Sequence, residues 1–182
     1  MQLAMIGLGR MGANMTARLL RGGHQVVVYD VNPEACKAAE ALGATTVGGL
    51  DELVSALTPP RVAWMMVPVG DPVETTVGIL ASEFSEGDIV IDGGNSHYKD
   101  SMRRAGLLAE RSQHFIDVGT SGGVWGLAYG YSMMVGGDKA TVEYCARSLR
   151  RWPPRPTRAG AMSVPVARDT MPRWSTMASS MA

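Results

Sequence analysis

The hexapeptide GLGRMG, at residues 7–12, constrains the fold more than any other feature of the chain. It follows a short apolar run and opens a segment whose Met and Leu residues recur at helical spacing. In this G-x-G-x-x-G pattern, Gly7 permits a tight turn, Gly9 lets the backbone approach a pyrophosphate, and Gly12 lets helix and strand pack closely. The pattern predicts a helix N-terminus that binds phosphate. The predicted contacts also include the intervening Leu8, Arg10 and Met11.

A carboxylate lies where a dinucleotide site requires one. The second predicted strand, residues 25–29, ends at Asp30, eighteen residues after Gly12, which is close to the spacing expected for a carboxylate on the adenosine ribose 2′-hydroxyl. A carboxylate repels a 2′-phosphate, and the following residues VNP supply no Arg to pair with one. The sequence therefore predicts NAD as the cofactor, in preference to NADP. The alternative interpretation of Asp30 is a helix-capping or turn residue.

Short apolar runs alternate with helical patterns through the first 118 residues. The predicted strands are residues 2–6, 25–29, 44–47, 62–67, 89–92 and 114–118, with a final strand at 132–135. Helix starts are marked by Asn32 before Pro33, and by Asp71, Pro72 and Glu74, and a further helix is predicted over residues 98–111. This alternation predicts an α/β fold with a doubly wound parallel Rossmann sheet over residues 1–146.

Three further glycine-bearing loops follow predicted strands: MMVPVGD, DGGNSHYKD and GTSGGVWGLAYG. Ligands of open α/β sheets bind beyond the carboxyl ends of the strands, so these loops are expected to face one crevice. Asn95 and Ser96 offer an amide and a hydroxyl, and Ser121 precedes the amides of Gly122 and Gly123. The loops therefore predict a site for a carboxylate or a hydroxyl-rich substrate.

Composition excludes several other classes of protein. Seventeen basic residues balance seventeen acidic ones, which argues against a nucleic-acid or membrane partner for the chain as a whole. Two cysteines, Cys36 and Cys145, cannot build a disulfide framework, and no Cys/His spacing predicts a metal site. The N-terminal sequence has neither a signal peptide pattern nor a membrane span. A cytoplasmic location is expected.

The motifs GLGRMG, MMVPVG, IDGGNSHYKD and DVGTSGGVWGLAYGYSMMVGG, in that order, resemble the decarboxylating 6-phosphogluconate dehydrogenases, particularly their shorter bacterial NAD-type branch. The resemblance covers residues 1–146. It implies substrate contacts for Asn95, Ser121, Gly122 and Gly123, contacts on the nicotinamide side for Val67 and Pro68, and a cofactor contact for Asn95. Related β-hydroxyacid dehydrogenases, such as the 3-hydroxyisobutyrate type, usually carry a Ser/Thr-rich sequence in place of GGNS, so the GGNS loop favours the phosphogluconate interpretation.

The resemblance implies oxidation of 6-phosphogluconate at C3 with hydride transfer to NAD, loss of CO₂, and protonation of the enediol to ribulose 5-phosphate. The family takes its Lys base and Glu acid from a K-x-x-x-N-x-x-E-Y pattern, which does not occur in the 182 residues. We therefore expect NAD binding without catalysis, and without the helical domain through which the family forms its homodimer. Another β-hydroxyacid dehydrogenase and a non-catalytic nucleotide-binding module stay open as alternatives.

Residues 147–182 have a different composition, with seven Arg, five Pro and a single acidic residue. They predict a basic tail that does not pack as a domain, and a linker or an Arg-rich nucleic-acid arm are alternative interpretations. A one-base frame change near Ala146 explains them better, because allowed codons in the shifted frame encode a string ending in KMVHNGIEYG. The single codons of Met162, Met171, Trp174 and Met177 are all compatible with that string.

Overall fold

A computed structural model describes residues 1–149, which form one seven-stranded sheet covered by helices. The strands are β1 (Gln2–Ile6), β2 (Gln25–Tyr29), β3 (Thr45–Thr46), β4 (Val62–Met65), β5 (Ile89–Asp92), β6 (His114–Ser121) and β7 (Ser132–Gly137). The helices are α1 (Arg10–Arg21), α2 (Pro33–Glu40), α3 (Leu50–Ser55), α4 (Asp71–Glu83), α5 (Tyr98–Ala109), α6 (Gly126–Tyr129) and α7 (Lys139–Leu149), with a 3₁₀ turn at Gly123–Trp125.

The sheet has the strand order β3-β2-β1-β4-β5-β6-β7. Strands β1 to β6 are parallel, which confirms the predicted doubly wound Rossmann fold. The chain runs outward from β1 to β3 and then returns to place β4 on the other side of β1. This reversal opens a crevice at the carboxyl ends of β1 and β4, where ligands bind in folds of this kind.

Helices cover both faces of the sheet, so the strands are buried on both sides and read as continuous apolar runs. On one face, Met15 and Leu19 of α1 pack on a cluster that includes Trp64 of β4. On the other face, Leu80 of α4 and Leu108 of α5 pack on a second cluster. The predicted start of α2 is also observed, since the Asn32 side chain accepts a hydrogen bond from the backbone N–H of Glu34 at 3.1 Å.

The last two strands differ from the sequence-based expectation. β7 runs antiparallel to β6, because the ten residues between them are too few for the crossover that a parallel pair requires. This pairing also extends β6 to Ser121, three residues beyond the predicted end. α7 continues to Leu149, past the predicted boundary at residue 146. The rest of the predicted tail, residues 150–182, lies outside the described residues.

Candidate nucleotide-binding site

Two glycines of the first loop are required by packing within the protein. Gly7 has a φ of +91°, and a Cβ placed there would lie 2.6 Å from the carbonyl oxygen of Met66. A Cβ on Gly12 would lie 2.0 Å from the carbonyl oxygen of Gly7. The N–H of Gly7 donates to the carbonyl of Tyr29 at 2.9 Å. These contacts hold the turn between β1 and α1 tightly against the ends of β2 and β4.

Gly9 is different, because no protein atom lies within 4 Å of the position that its Cβ would occupy. Its backbone is in an ordinary region, with a φ of −57°, so neither strain nor internal packing explains a glycine there. Gly9 is the N-cap of α1, its first turn carries no acidic residue, and no side chain caps it. The free N–H groups of this turn and the helix dipole therefore face open space that suits an anion.

Asp30 lies beside this turn at the end of β2. One carboxylate oxygen accepts a hydrogen bond from the N–H of Leu8, and the other accepts from the N–H of Asn32 at 2.8 Å. The turn interpretation of Asp30 is thus correct for its backbone contacts. A carboxylate has about four acceptor positions, and the half-buried Asp30 keeps capacity for ribose hydroxyls. The two bonds fix the carboxylate next to the glycine loop.

The loops after β4 and β5 meet at the same edge of the sheet. A Cβ on Gly94 would lie 2.7 Å from the carbonyl oxygen of Val67, and one on Gly93 would lie 2.5 Å from Nε1 of Trp64. The two glycines of GGNS therefore let the Asn95 loop approach the Val67 and Pro68 loop. The structure thus places the loop of Asn95, a predicted cofactor and substrate contact, beside the loop of Val67 and Pro68, which the resemblance assigns to the nicotinamide side.

A cavity of about 610 Å³ opens beside Asn95 on the face covered by α4 and α5. Its lining combines the starts of those two helices with the ends of β5 and β6: Val69, Gly70, Glu74, Asn95, Ser96, His97, Tyr98, Asp100, Arg104, Asp117 and Gly119. Four of these side chains are carboxylates or guanidinium groups, so part of the wall is charged. His97 is the N-cap residue of α5 and is exposed at the rim.

Buried charges lie at and beneath the wall of this cavity, and no motif in the sequence indicated them. Asp92 and Arg104 are 0% and 3% exposed, and Asp117 is 7% exposed. Asp92 and Asp117 are paired positions on adjacent strands. Burial, followed by the neighbouring Asp92 carboxylate, raises the pKa of Asp117 to about 6, while a hydrogen bond from Ser101 and the charge of Arg104 act in the opposite direction. The only sequence signal was the acidic residue that precedes GGNS.

The Ser-Gly-Gly segment begins at the last residue of β6 and continues into the β6–β7 connection, which packs on α1. Nη1 of Arg18 donates to the carbonyl of Leu127 at 2.9 Å. A Cβ on Gly122 would lie 2.7 Å from the Tyr131 ring, and Gly123 adopts a φ of +43° with open space around it. Ser121 and Gly123 are both exposed. The connection that carries the predicted substrate residues thus packs against α1, the helix that begins at the glycine loop.

Within residues 1–149, no group of three or more His, Cys, Asp or Glu side chains is arranged to hold a metal ion. The helices of this region are also too short or too polar to cross a bilayer. The candidate site consists of the glycine loop, Asp30 and the loops after β4, β5 and β6.

The sequence matches the family model for the NAD binding domain of 6-phosphogluconate dehydrogenase over residues 2–156. It is 44% identical over 139 residues to the NAD(+)-dependent decarboxylating 6-phosphogluconate dehydrogenase of Haloferax volcanii, covering 76% of this chain and 46% of that protein. Identity to the NADP(+)-dependent decarboxylating enzyme of Bacillus subtilis is 38% over 146 residues, covering 78% of this chain and 31% of that protein. The chain spans less than half the length of these relatives.

Solved structures show the same fold. The 6-phosphogluconate dehydrogenase of Plasmodium falciparum superposes with a TM-score of 0.74 at 30% identity, covering 82% of this chain and 33% of that one. The 3-hydroxyisobutyrate dehydrogenase of Mycobacterium tuberculosis superposes with a TM-score of 0.75 at 29% identity, covering 83% and 51%. Since the two similarities are nearly equal, the fold does not distinguish between these two kinds of dehydrogenase.

Proposed function

The chain belongs to the 6-phosphogluconate dehydrogenase family, and we propose that it binds NAD across the carboxyl ends of β1, β2 and β4. In this arrangement the pyrophosphate lies at the N-terminus of α1, the adenosine ribose lies at Asp30, and the nicotinamide end lies toward Val67, Pro68 and Asn95. A bound NAD would supply the hydride acceptor. The protein contributes the binding surface and its orientation.

The open position at Gly9 is the observation that carries this proposal. Close packing explains two of the glycines, because a Cβ on Gly7 would meet the Met66 carbonyl and a Cβ on Gly12 would meet the Gly7 carbonyl. No protein atom lies within 4 Å of the Cβ position of Gly9. The uncapped N-terminus of α1 lies at the same point, and the N–H of Leu8 joins it to the Asp30 carboxylate. Space, free donors and a ribose acceptor are therefore adjacent, as a dinucleotide requires.

The preference for NAD over NADP rests on Asp30. The relatives of the chain include both NAD(+)- and NADP(+)-dependent enzymes, so family membership does not decide between the two cofactors. A 2′-phosphate at this position would place its negative charge against the carboxylate, which the N–H groups of Leu8 and Asn32 hold in place. The adjoining Val31 is 87% exposed and offers no compensating charge.

We further propose that the substrate class is a sugar acid phosphate, and that the 182-residue chain binds NAD without turnover. Asn95 in GGNS favours 6-phosphogluconate over 3-hydroxyisobutyrate, and Ser121, Gly122 and Gly123 offer donors to a carboxylate or hydroxyl. The Lys base and Glu acid of the family pattern do not occur in the sequence, and such groups each contribute about 10²- to 10⁴-fold in rate.

Turnover assays test the substrate and the activity together. The full chain is incubated with NAD and either 6-phosphogluconate or 3-hydroxyisobutyrate, and NADH is followed by its absorbance. We expect no turnover with either substrate and saturable NAD binding in the same preparation. Oxidation of 3-hydroxyisobutyrate would favour the alternative dehydrogenase, and oxidation of 6-phosphogluconate would show that the missing pattern is not required.

The frame change near Ala146 is tested by the nucleotide sequence. If the bases after that codon encode a KMVHNGIEY-like block in a neighbouring frame, a one-base correction should give a chain that oxidises 6-phosphogluconate. A nucleotide sequence without such a block would contradict the frame proposal and leave the NAD-binding proposal unchanged.

A further inference from the structure

Asn95 has a left-handed backbone conformation, which is uncommon outside glycine although asparagine adopts it more readily than most residues. Its φ is +63°, and among the described residues only Asn95 and Ser112 adopt a positive φ without being glycine. This left-handed region costs free energy for residues with a Cβ, and the surrounding structure must stabilise it. Asn95 is also exposed in the wall of the cavity. Neighbouring groups must therefore hold the Asn95 backbone in this conformation.

Asp92 holds the loop on both sides of Asn95. One oxygen of its fully buried carboxylate accepts from the N–H of Gly94 at 2.9 Å, and the other accepts from Oγ of Ser96 at 2.7 Å. These bonds involve the residues directly before and after Asn95. The carboxylate therefore fixes the direction in which the Asn95 side chain leaves the loop.

Arg104 in turn holds Asp92. Its Nη1 lies 3.4 Å from Oδ2 of Asp92, and its Nη2 and Nε donate to Oε1 of Glu74 at 2.6 and 3.2 Å. The guanidinium thus joins β5, α4 and α5, and it supplies the positive charge that a buried carboxylate needs. Hydrogen bonds from Arg104 and Arg103 also lower the pKa of Glu74, so the bridge is ionised at neutral pH.

We propose that Asp92 and Arg104 are positioning residues that preorganise Asn95 for the nicotinamide end of the cofactor. Arg104 lines the cavity but is 3% exposed, and its donors are engaged by two carboxylates. It therefore acts through Asp92 and the loop instead of through its own contact with the ligand. This inference rests on the proposed function, since it requires that NAD binds with its nicotinamide end near Asn95.

The test compares NAD with ADP-ribose, which lacks only the nicotinamide. Both are titrated into the full 182-residue chain by calorimetry, using the unmodified protein, Arg104→Gln, Arg104→Lys and Asn95→Ala. We expect Arg104→Gln and Asn95→Ala to weaken NAD binding by about five- to tenfold, the effect of one lost hydrogen bond, and to change ADP-ribose binding by less than about twofold. Arg104→Lys keeps the charge and should recover part of the loss.

Arg103→Gln is the matched control, because Arg103 is the next residue, also pairs with Glu74, and is half exposed without contacting Asp92. It should leave both affinities unchanged. Ser96→Ala provides a second route, since it removes one bond of Asp92 without leaving a buried charge unpaired, and it should weaken NAD alone by a smaller factor. Far-UV circular dichroism verifies that each variant is folded.

The possible outcomes separate this inference from the function on which it rests. If the unmodified chain binds neither ligand, the proposed function fails and the positioning role fails with it. If ADP-ribose binds normally but folded Arg104→Gln or Ser96→Ala keeps full NAD affinity, the function stands and the positioning role is wrong. If Arg104→Gln weakens the binding of NAD and of ADP-ribose equally, the substitution has a general structural effect, and this outcome would also overturn the inference.

Discussion

The two halves of the crevice are built in different ways. Around α1, the site consists of backbone and space: Gly7 and Gly12 close the turn, Gly9 leaves room, and the N–H groups of the first helical turn face outward. Around β5 and β6, the site consists of buried charges, with Asp92 and Arg104 beneath the Asn95 loop. The first half needs few side chains, whereas the second depends on a network between α4, β5 and α5.

Under the proposed function, this difference follows from the groups that the two halves recognise. A pyrophosphate is a diffuse anion, so backbone donors at a helix terminus suffice to bind it. A nicotinamide or sugar acid must be oriented to within a fraction of an ångström for reaction, so the side chains that contact it need support from a second layer of residues. Substitutions of the loop glycines in the first half should therefore act by filling the space that the ligand needs. Substitutions in the second half should act by allowing the Asn95 loop to change its orientation.

The largest effect is expected from Gly9→Val. The new side chain would occupy the space in front of the α1 N-terminus, and NAD affinity should fall by more than about 100-fold, or about 3 kcal/mol. Because no protein atom lies within 4 Å of this Cβ position, the thermal unfolding midpoint should change little. Gly136→Val, also without a neighbour within 4 Å, is the control for a valine placed elsewhere. Retained NAD binding in folded Gly9→Val would refute the pyrophosphate assignment.

Gly12→Ala should lower the stability of the fold, because it affects packing and does not fill the ligand space. Its Cβ would lie 2.0 Å from the carbonyl oxygen of Gly7, so the turn must shift, and the free energy of unfolding should fall by about 1–3 kcal/mol. Urea unfolding measures this loss, with Gly9→Ala as the matched variant that should be close to neutral. Equal stability of the two variants would mean that the tight packing of α1 on the turn is not required.

Asp30→Ala should weaken NAD binding by about 1–3 kcal/mol, the range for hydrogen bonds to a charged group. The variant also removes the acceptor for the N–H groups of Leu8 and Asn32, so Asp30→Asn is needed to separate charge from local structure. Asp30→Asn should narrow the difference between NAD and NADP by removing the repulsion of a 2′-phosphate. An unchanged preference in Asp30→Asn would exclude the carboxylate as its source.

The second half of the site should also show a pH dependence of stability. Since burial and the nearby Asp92 raise the pKa of Asp117 to about 6, the folded protein favours the protonated form of this group. The contribution of Asp117 to stability should therefore decrease as pH rises from about 4 to 6. Asp117→Asn lacks this titration. Its free energy of unfolding relative to the unmodified protein should therefore increase by about 1–3 kcal/mol over that range and be constant above pH 7.

Chemical denaturation at several pH values measures this difference. The carboxyls with lowered pKa values, Glu74 and Asp138, occur in both proteins, and their contributions cancel in the comparison. A difference that does not vary between pH 4 and 7 would contradict the raised pKa of Asp117.

The sequence predicted the local geometry of the first half, because the constraints on that geometry are local. Glycine spacing and the position of Asp30 after an apolar strand depend on residues within one strand–helix–strand unit. The parallel order of β1 to β6 follows similarly from alternation of short runs. Single-residue boundaries were less accurate, as for β3, predicted over residues 44–47 and observed at Thr45–Thr46, because a terminal hydrogen bond decides them.

The second half was only partly predictable because its contacts join distant residues. GGNS indicated Asn95 as a binding residue, but Glu74 and Arg104 are thirty positions apart, and no motif connects them. The antiparallel direction of β7 was missed because strand patterns carry no direction. The Tyr131 ring beneath Gly122 likewise becomes evident only when β6 and β7 are paired.

The most direct test of the account is a calorimetric titration of NAD and NADP into the full 182-residue chain under identical conditions. The account predicts saturable binding of one NAD per chain, and weaker binding of NADP because the Asp30 carboxylate repels its 2′-phosphate. Absence of NAD binding by a folded chain would contradict the assignment of the glycine loop as a nucleotide site. NADP binding as tight as that of NAD would contradict the role given to Asp30.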